Sequence, residues 1–312
     1  MDAIAAVLER PGRIVTRTLQ LREPKDGDLL VEIDYAGISA GTEKLLWDGA
    51  MPAFPGFGYP LVPGYESVGR VVDARGSSSF TENDKVFVPG AHAFTDARSF
   101  FGANARHLFV PEDRLVRNDI LGDERGVLLA LAATAHHALG ADGARAPDLI
   151  IGHGTLGRLL ARIAVARGMT PPRVWEIDAG RREGSHDYPV IAPHEDEGAT
   201  YRAIYDCTGD ATLVPGLIDR LEKGGELVLA GFYSGTIAFP FAPAFMREAR
   251  LRIAAEWSAP DMAAVRRLLA DGRLAFDGLV THRRSACEMS DAYPQAFTDP
   301  ACRKIVLDWS DC

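Results

Sequence analysis

The first third of the chain alternates apolar and polar positions with the period of two that is typical of β-strands. Short stretches of this kind are separated by Gly/Pro turns: IAAVLER, DLLVEIDY, ESVGRVVDA, DKVFVPG and RHLFVPE. Among them lies a loop, residues 49–64, in which four prolines forbid a regular ladder and aromatic side chains supply apolar surface. The pattern predicts a mostly β domain over residues 1–120.

The pattern changes at a helical stretch, ERGVLLALAATAHHAL, which marks a domain boundary. Buried strands then alternate with amphipathic helices: DLIIG, HGTLGRLLARIAVARG, RVWEID, YRAIYDC, ATLVPGLIDRLEKG, GELVLAG and LRIAAE. This alternation predicts an α/β fold with a doubly wound parallel sheet over residues 121–267. The last residues, 268–312, need not belong to that sheet; helices are expected near 261–270 and 289–297, and strands at 278–281 and in KIVLDW.

Composition and charge exclude several classes of function. The 312 residues are enough for two cores, and a net charge of −9 disfavours binding to nucleic acid or anionic lipid. The four cysteines contain no C-x-x-C pair, so we expect neither a disulfide framework nor a zinc ribbon, and a reducing compartment is favoured. No stretch approaches the roughly 20 apolar residues of a membrane span, and no signal peptide is recognised, so a cytoplasmic protein is expected.

A glycine run, GHGTLG, directly follows the strand DLIIG and opens a helix. This is the context in which G-x-G-x-x-G binds a dinucleotide. Gly152 permits the tight turn, Gly154 lacks the Cβ that would block a pyrophosphate, and Gly157 lets helix and strand approach. The free N–H groups of Thr155, Leu156 and their neighbours at the helix start then face the phosphates. The alternative is a glycine turn without a ligand; His153 is interpreted as a loop side chain near the phosphates rather than a base.

An acid after the second strand is expected to bind the ribose hydroxyls. Glu176 and Asp178 both lie at a suitable distance, and a carboxylate there repels a 2′-phosphate, so NAD is expected. Arg181 and Arg182 favour NADP, but we expect them to be solvated and weakened by salt. Two later strand ends supply candidates to line the nicotinamide: Cys207, Thr208, Gly209, Gly231 and Phe232.

Three stretches carry a family resemblance. GISAGTE (37–43) resembles a G-x-C-x-[ST]-[DE] pattern, GYESVGRVV (64–72) a G-[HY]-E-x-x-G-x-V pattern, and NDKV (83–86) a G-D-x-V turn. These are patterns of the medium-chain dehydrogenase/reductase superfamily, and the resemblance covers essentially the whole chain. It implies a Rossmann domain inserted in a GroES-like, mostly β catalytic domain.

A closer resemblance suggests the substrate. GISAGTEKLLW, PGFGYPLVPGYESVGRVV, IIGHGTLGRL and VWEID resemble the bacteriochlorophyllide a dehydrogenases of bacteriochlorophyll biosynthesis. The resemblance implies an alcohol dehydrogenase that oxidises the 3-(1-hydroxyethyl) group of a bacteriochlorophyllide to 3-acetyl, with hydride transfer to NAD. Two alternatives stay open: a zinc-free NADPH-dependent quinone or enone reductase, and a dinucleotide-binding protein without catalysis.

The chain departs from the zinc-dependent members of the superfamily at their metal ligands. The corresponding positions carry Ser39 or Ala40, Tyr65 before Glu66, and Ala130 ahead of Thr134, none of them a soft ligand. The stretch 89–106, which in many relatives holds four cysteines, has none. We therefore predict no zinc, although an unorthodox site that uses His92 or Glu66 stays open.

Without a metal, another group must manage the proton of the alcohol. Thr42 aligns with the hydroxyl residue that relays protons in the family, and the Tyr65 phenol replaces a ligand, so both are catalytic candidates together with Glu66. The alternatives are that Thr42 caps a helix starting at Glu43, that Tyr65 is a packed aromatic and that Glu66 is a buried structural acid. His136 and His137, which follow on one helix, are interpreted as polar surface or core-edge residues.

Several side chains are candidates for a pocket that stacks on a large ring system, with core packing as the alternative. They are Ser39, Trp47, Phe54, Phe57, Tyr59 and His92. The resemblance also implies a homodimer, for which we expect an edge strand at 235–239 to pair across a two-fold axis.

Overall fold

The structure, a computed structural model, describes residues 1–140, 143–196 and 198–312. These residues form two compact units. Unit 1 comprises Met1–Ala130 and Phe276–Cys312, and unit 2 comprises Leu131–Ala275. The predicted boundaries, after residue 120 and after residue 267, lie somewhat earlier in the chain.

The regular elements follow the predicted alternation. The strands are β1 (Asp2–Arg10), β2 (Arg13–Gln20), β3 (Asp28–Gly37), β4 (Leu61–Val62), β5 (Ser67–Asp73), β6 (Lys85–Val88), β7 (Arg98–Ser99), β8 (His107–Pro111), β9 (Val116–Arg117), β10 (Leu149–Ile151), β11 (Arg173–Trp175), β12 (Val190–Ile191), β13 (Tyr201–Asp206), β14 (Leu221–Leu229), β15 (Arg250–Ile253), β16 (Val280–Ser285) and β17 (Lys304–Asp308). The α-helices are α1 (Thr42–Asp48), α2 (Leu129–Gly140), α3 (Thr155–Ala166), α4 (Ala179–Arg182), α5 (Val214–Asp219), α6 (Phe241–Met246), α7 (Ala259–Ala270) and α8 (Met289–Thr298). Strand β2 was not among the predicted strands.

Unit 1 is built on two sheets that bring distant parts of the chain together. One has the order β16-β17-β3-β5-β6-β9, with β8 also paired to β3, and the other has the order β2-β1-β4-β7. Because β17 and β5 both pair with β3, the end of β3 lies between the start of β17 and the start of β5; Val306 pairs with Gly37, and Ala36 pairs with Ser67. The consecutive buried residues Ala5–Leu8 of β1 and alternating positions of β3 belong to one apolar core.

Unit 2 is a Rossmann-type parallel sheet with the order β12-β11-β10-β13-β14-β15. The strand register places the carboxyl ends of the strands side by side. Ile151 pairs with both Trp175 and Asp206, and Asp206 pairs with Leu229. The strand order reverses at β10, so the residues after β10, β11, β13 and β14 meet at the edge where such sheets bind ligands.

The predicted edge strand at 235–239 is wrong. These residues form no strand, and the sheet of unit 2 ends at β15 on this side and at β12 on the other. The exposed fraction of Ile253 on this strand is 76%, and the neighbouring helix α6 exposes Phe241 and Phe245. Pro240, which supplies no N–H for a ladder, directly follows the segment 235–239.

The cysteine spacing indicates no disulfide framework, but the structure contains one disulfide bond. Cys287 and Cys312 are bonded, with their Cα atoms 5.8 Å apart. These cysteines follow β16 and β17, which are parallel neighbours with Ser285 level with Asp308. The pairing therefore follows from strand register, which the spacing of cysteines along the sequence does not reveal.

No helix within the described ranges is both long and apolar enough to cross a membrane.

Candidate functional site

The glycine run between β10 and α3 has the geometry of a phosphate cradle. Gly152 has a φ of +91°, a left-handed conformation that favours glycine. A Cβ on Gly154 would meet no heavy atom within 4 Å, so the space beside it is open. A Cβ on Gly157 would lie 1.9 Å from the carbonyl oxygen of Gly152, so helix and strand touch there. The open space at Gly154 and the start of α3 together fit the pyrophosphate of a dinucleotide.

Glu176, which directly follows β11, is buried and bonded to the glycine run. Its Oε2 accepts a hydrogen bond from the N–H of His153 at 2.8 Å, and its Oε1 accepts one from the N–H of Asp178 at 2.9 Å. Each carboxylate oxygen can accept a second hydrogen bond. The side chain is therefore fixed in place and still has the capacity to accept from a ribose diol.

In the loop after β11, the charged side chains form hydrogen bonds with backbone groups of the same loop. The carboxylate of Asp178 caps α4 by accepting from the N–H of Arg181 at 2.8 Å. The guanidinium of Arg182 donates to the carbonyls of Glu176 and Ile177, at 2.9 and 2.8 Å. Both arginines are half-buried, so the expectation of solvated side chains is wrong.

The imidazole of His153 turns into unit 2 and links the glycine run to this loop. Its Nδ1 lies 2.8 Å from the carbonyl oxygen of Arg181 and its Nε2 lies 3.1 Å from the hydroxyl of Tyr188. Buried Arg158 braces both segments, because it donates to the carbonyls of His153 and Arg181. The ring of His153 is thus a structural link, and its backbone N–H is the group that contacts Glu176.

The ends of β13 and β14 pack closely around buried Asp206. Its Oδ1 accepts from the N–H and hydroxyl of Thr208, and its Oδ2 accepts from the hydroxyl of Tyr233 at 2.6 Å. Burial raises the pKa of Asp206, and burial likewise raises the pKa of the Cys207 thiol. The sequence patterns gave no sign of Tyr233.

Gly209 and Gly231 approach each other at the same sheet edge. A Cβ on Gly231 would lie 2.7 Å from the nitrogen of Gly209, and a Cβ on Gly209 would lie 2.5 Å from the carbonyl oxygen of Phe232. The side chain of Phe232 is 45% exposed. The predicted nicotinamide-lining residues therefore meet at the carboxyl ends of β13 and β14.

In unit 1, three hydroxyl groups cluster where β3 ends and β5 begins. The Ser39 and Tyr65 oxygens are 2.7 Å apart, and the Tyr65 hydroxyl lies 3.4 Å from that of Thr42. Thr42 is not a helix cap, because α1 is preceded by Gly41 in the cap position. Burial, followed by the negative charge of Glu66, raises the pKa of Tyr65, so its phenol is neutral at physiological pH.

Glu66 forms a fully buried ion pair with Lys304. The Lys304 Nζ lies 2.5 Å from the Glu66 Oε2 and also donates to the carbonyl of Ile38 at 3.1 Å. Burial raises the pKa of Glu66, and the ammonium opposes this rise. The pair ties β17 to the residues just before Ser39 and just after Tyr65. Sequence patterns did not reveal Lys304, whose partner lies far away along the chain.

A second buried acid, Glu43, stands beside the hydroxyl cluster. Its Oε2 accepts from the hydroxyl of Tyr293 at 2.6 Å, and its Oε1 accepts from the N–H of Ser39 at 3.2 Å. Burial raises the pKa of Glu43 to about 7, although the hydrogen bond from Tyr293 opposes the rise. Glu43 was not a predicted site residue, since the family pattern alone assigns it no role.

These groups do not fit a zinc site. The Ser39 and Tyr65 hydroxyls bond to each other, and the neighbouring carboxylate of Glu66 is held by an ammonium. Among the described residues, no group of three or more His, Cys, Asp or Glu side chains is placed to hold a metal ion. His92 is exposed on another loop, where its carbonyl accepts from Arg22.

The predicted aromatic pocket divides into two groups. Trp47 packs with Tyr293 and Phe297 at centroid distances of 6.0 and 6.1 Å. Phe57 and Tyr59 form a separate group with their ring centroids 5.5 Å apart. This second group also contains Phe54, Phe100 and Phe101.

His136 and His137 share one acid in unit 2. Their Nδ1 atoms lie 2.8 and 2.9 Å from the two carboxylate oxygens of Asp261, which also binds Ser258 at the start of α7. This arrangement is consistent with the interpretation as core-edge residues.

Comparison with known proteins gives a full-length match. No protein-family model matches the chain. The chain is 53% identical over 314 residues to the 2-desacetyl-2-hydroxyethyl bacteriochlorophyllide A dehydrogenase of Cereibacter sphaeroides, covering 99% of each chain. It is 51% identical over 312 residues to the protein of the same name from Rhodobacter capsulatus, covering 100% of this chain and 99% of that one. An Escherichia coli alcohol dehydrogenase crystallised with NADH has the same fold, with a TM-score of 0.83, 17% identity and 99% coverage of both chains.

Proposed function

Since the chain belongs to the family of 2-desacetyl-2-hydroxyethyl bacteriochlorophyllide A dehydrogenases, we propose that it oxidises the 3-(1-hydroxyethyl) group of a bacteriochlorophyllide to 3-acetyl, with NAD as the acceptor. It is an oxidoreductase with a nicotinamide dinucleotide cofactor. The observation that carries the proposal is identity above one half with two enzymes of this name over their whole length. The reaction belongs to bacteriochlorophyll a biosynthesis.

The residues of unit 2 bind the cofactor in this proposal. Gly154 and the N–H groups at the start of α3 would hold the pyrophosphate of the bound dinucleotide. Glu176 accepts hydrogen bonds from the ribose diol, and its negative charge disfavours the 2′-phosphate of NADP. The nicotinamide, when bound, supplies the hydride acceptor.

The hydroxyl cluster of unit 1 handles the proton. Loss of hydride from the carbinol carbon makes the alcohol proton strongly acidic, so a nearby group must accept it. We assign this to Tyr65, whose oxygen takes up the proton while its own proton passes to the hydroxyl of Thr42, and the half-buried Thr42 hydroxyl releases its proton to solvent. The Ser39 hydroxyl, 2.7 Å from the Tyr65 oxygen, holds the phenol in place. Because its raised pKa disfavours the phenolate, Tyr65 passes the proton on rather than storing charge. Glu66, held by Lys304, acts as a positioning residue beside it.

We further propose a homodimer formed through β15. This strand is one of the two edges of the unit 2 sheet, and an edge strand can bond to the same strand of a second copy. The exposed side chains of Ile253, Phe241 and Phe245 would be covered by such pairing. Light scattering of the wild type and of Ile253→Lys tests this; a wild-type monomer contradicts it. A cytoplasmic location stays a prediction from the sequence.

A spectroscopic assay tests the proposed reaction. Purified protein is incubated with NAD and 3-hydroxyethyl bacteriochlorophyllide a, and we expect a red-shifted macrocycle absorbance with NADH appearing in equal amount. Tyr65→Phe, which removes only the hydroxyl, should lower kcat by about 100-fold. The half-buried Tyr35, also in unit 1, supplies the matched control Tyr35→Phe. Reduction of a quinone or enone by NADPH, without alcohol oxidation, would contradict the proposal.

A further inference from the structure

A continuous path of aromatic rings leads across unit 1 to the Tyr65 hydroxyl. From Tyr65 to Phe101, to Phe100 and to Phe57, successive ring centroids are 4.9, 4.7 and 5.2 Å apart. We call the following six rings the aromatic wall: Phe54, Phe57, Tyr59, Tyr65, Phe100 and Phe101. None of the six is fully buried: Phe54 is exposed and the other five are half-buried.

Phe101 occupies a backbone conformation that its side chain does not favour. Its φ is +71°, in the left-handed region that bulky residues rarely adopt. The loop is pinned there, because the N–H of Ala91 donates to the Phe101 carbonyl at 2.6 Å and a Cβ on Gly102 would lie 2.1 Å from the Ala91 carbonyl oxygen. A glycine would adopt the same backbone without strain. The phenylalanine is therefore explained by what its ring does beside Tyr65 and not by the needs of the loop.

A cation lies at the other end of the aromatic wall. The exposed guanidinium of Arg98 donates to the carbonyl of Tyr59 at 3.3 Å and lies against Gly58. Within the ranges that the structure describes, no carboxylate forms an ion pair with Arg98. The wall thus has a hydroxyl pair at one end, a cation at the other and apolar rings between them.

We propose that the aromatic wall binds the flat macrocycle of a tetrapyrrole, with the carboxylate of the ligand at Arg98 and its hydroxyethyl group at Tyr65. The inference rests on the proposed function, which supplies the substrate class. Flat conjugated rings pack well on aromatic side chains, and a bacteriochlorophyllide carries a free propionate that matches a guanidinium. Recognition of a lipid surface or of a protein partner would not require the partly buried Ser39–Tyr65 hydroxyl pair.

Binding without cofactor tests the wall separately from catalysis. The probes are 3-hydroxyethyl bacteriochlorophyllide a and its methyl ester, titrated into the protein while tetrapyrrole fluorescence is followed. We expect Phe101→Gly to weaken the Kd about ten-fold while the melting temperature stays the same or rises. Arg98→Gln should abolish the wild-type preference for the free acid over the ester, which we expect to be about three-fold.

Matched controls separate the side chains from general effects. Asn83→Gly changes a residue with nearly the same φ, +70°, that carries no ring, and Arg75→Gln removes an exposed arginine of the same unit. Both should leave the two Kd values unchanged. Phe100→Leu, which keeps apolar volume, provides a second test if Phe101→Gly does not fold, and it should also weaken binding.

The possible failures are distinguishable. A wild type that neither binds nor oxidises the tetrapyrrole overturns the proposed function itself. A wild type that oxidises it, while Phe101→Gly, Phe100→Leu and Arg98→Gln all bind as the wild type does, overturns only the assignment of the aromatic wall.

Discussion

At the scale of single residues, the ionisation of buried Glu43 makes the free energy of unfolding depend on pH. Its folded pKa of about 7 lies above the ordinary value of 4.5, so between these two values the folded chain keeps a proton that the unfolded chain has lost. The contribution of Glu43 to the free energy of unfolding is therefore fully present below pH 4.5 and is lost as the pH rises to 7, by about 3 kcal/mol in total.

Glu43→Gln tests this pH dependence. The neutral amide cannot ionise. Between pH 5 and pH 7 the free energy of unfolding should therefore decrease less in the variant than in the wild type. Urea denaturation at a series of pH values measures it. Glu82→Gln, at an exposed glutamate, is the control and should behave as the wild type. An unchanged slope in Glu43→Gln would show that another group causes the decrease.

Two glycines of the same glycine run, Gly154 and Gly157, are expected to respond to substitution in different ways. Gly154→Val should stay folded, because a Cβ there meets no heavy atom within 4 Å, but should bind NAD about 100-fold more weakly. Gly157→Ala should instead lower the stability by about 1–3 kcal/mol, because its Cβ would lie 1.9 Å from a backbone oxygen. Calorimetry with NAD and thermal melting measure the two effects. Unchanged NAD affinity in Gly154→Val would remove the glycine run as the phosphate site.

At the scale of elements, the junction of β11 and α4 decides which cofactor is preferred. Glu176 is buried at the strand end, where its charge is poorly screened, whereas Arg182 is bound to two backbone carbonyls. The carboxylate should therefore dominate, and the wild type should prefer NAD over NADP.

Replacement of each acid distinguishes their roles. Glu176→Ala should reduce the NAD preference in kcat/KM by about ten-fold, which is the loss of one charged hydrogen-bonding group. Asp178→Ala is the matched control, since its carboxylate caps α4, and it should change the preference little. A wild type that favours NADPH, or a shift in Asp178→Ala alone, would show that the ribose acid is wrongly assigned and would favour the reductase.

At the scale of the whole molecule, the absence of soft ligands at the family positions leads to a prediction about metal content. Purified protein should contain no stoichiometric zinc. The Ser39 and Tyr65 hydroxyls form a hydrogen bond with each other, and the carboxylate of Glu66 forms an ion pair with Lys304, so neither is left to bind a metal ion. Elemental analysis measures it, and chelator treatment should leave activity unchanged. One tightly held zinc per chain, lost together with activity, would disprove the prediction.

The sequence predicted those features that depend on local spacing. The fold class and the superfamily are confirmed. The cofactor site at the glycine run and Glu176 stays a prediction; the two are neighbours because a strand, a turn and a helix follow each other within a short stretch. Lys304, Tyr293 and the Cys287–Cys312 bond were missed, because their partners are set by strand and helix pairing across long distances in the chain. The edge strand predicted at 235–239 does not form. An apolar pattern alone therefore does not reveal which segment pairs with the edge of the sheet.

The pairing of β17 with β3 has a consequence for the order of folding. Residues of unit 2 are contiguous in the chain, but unit 1 needs its last strand to return across nearly the whole sequence, which is a slow type of closure. Until β17 arrives, Glu66 has no ammonium beside it, so the sheet around it cannot bury a charged carboxylate. We expect amides of β10 and β13 to gain protection before those of β3 in pulse-labelled hydrogen exchange during refolding. Simultaneous protection would show that the refolding chain does not assemble its two units in this order.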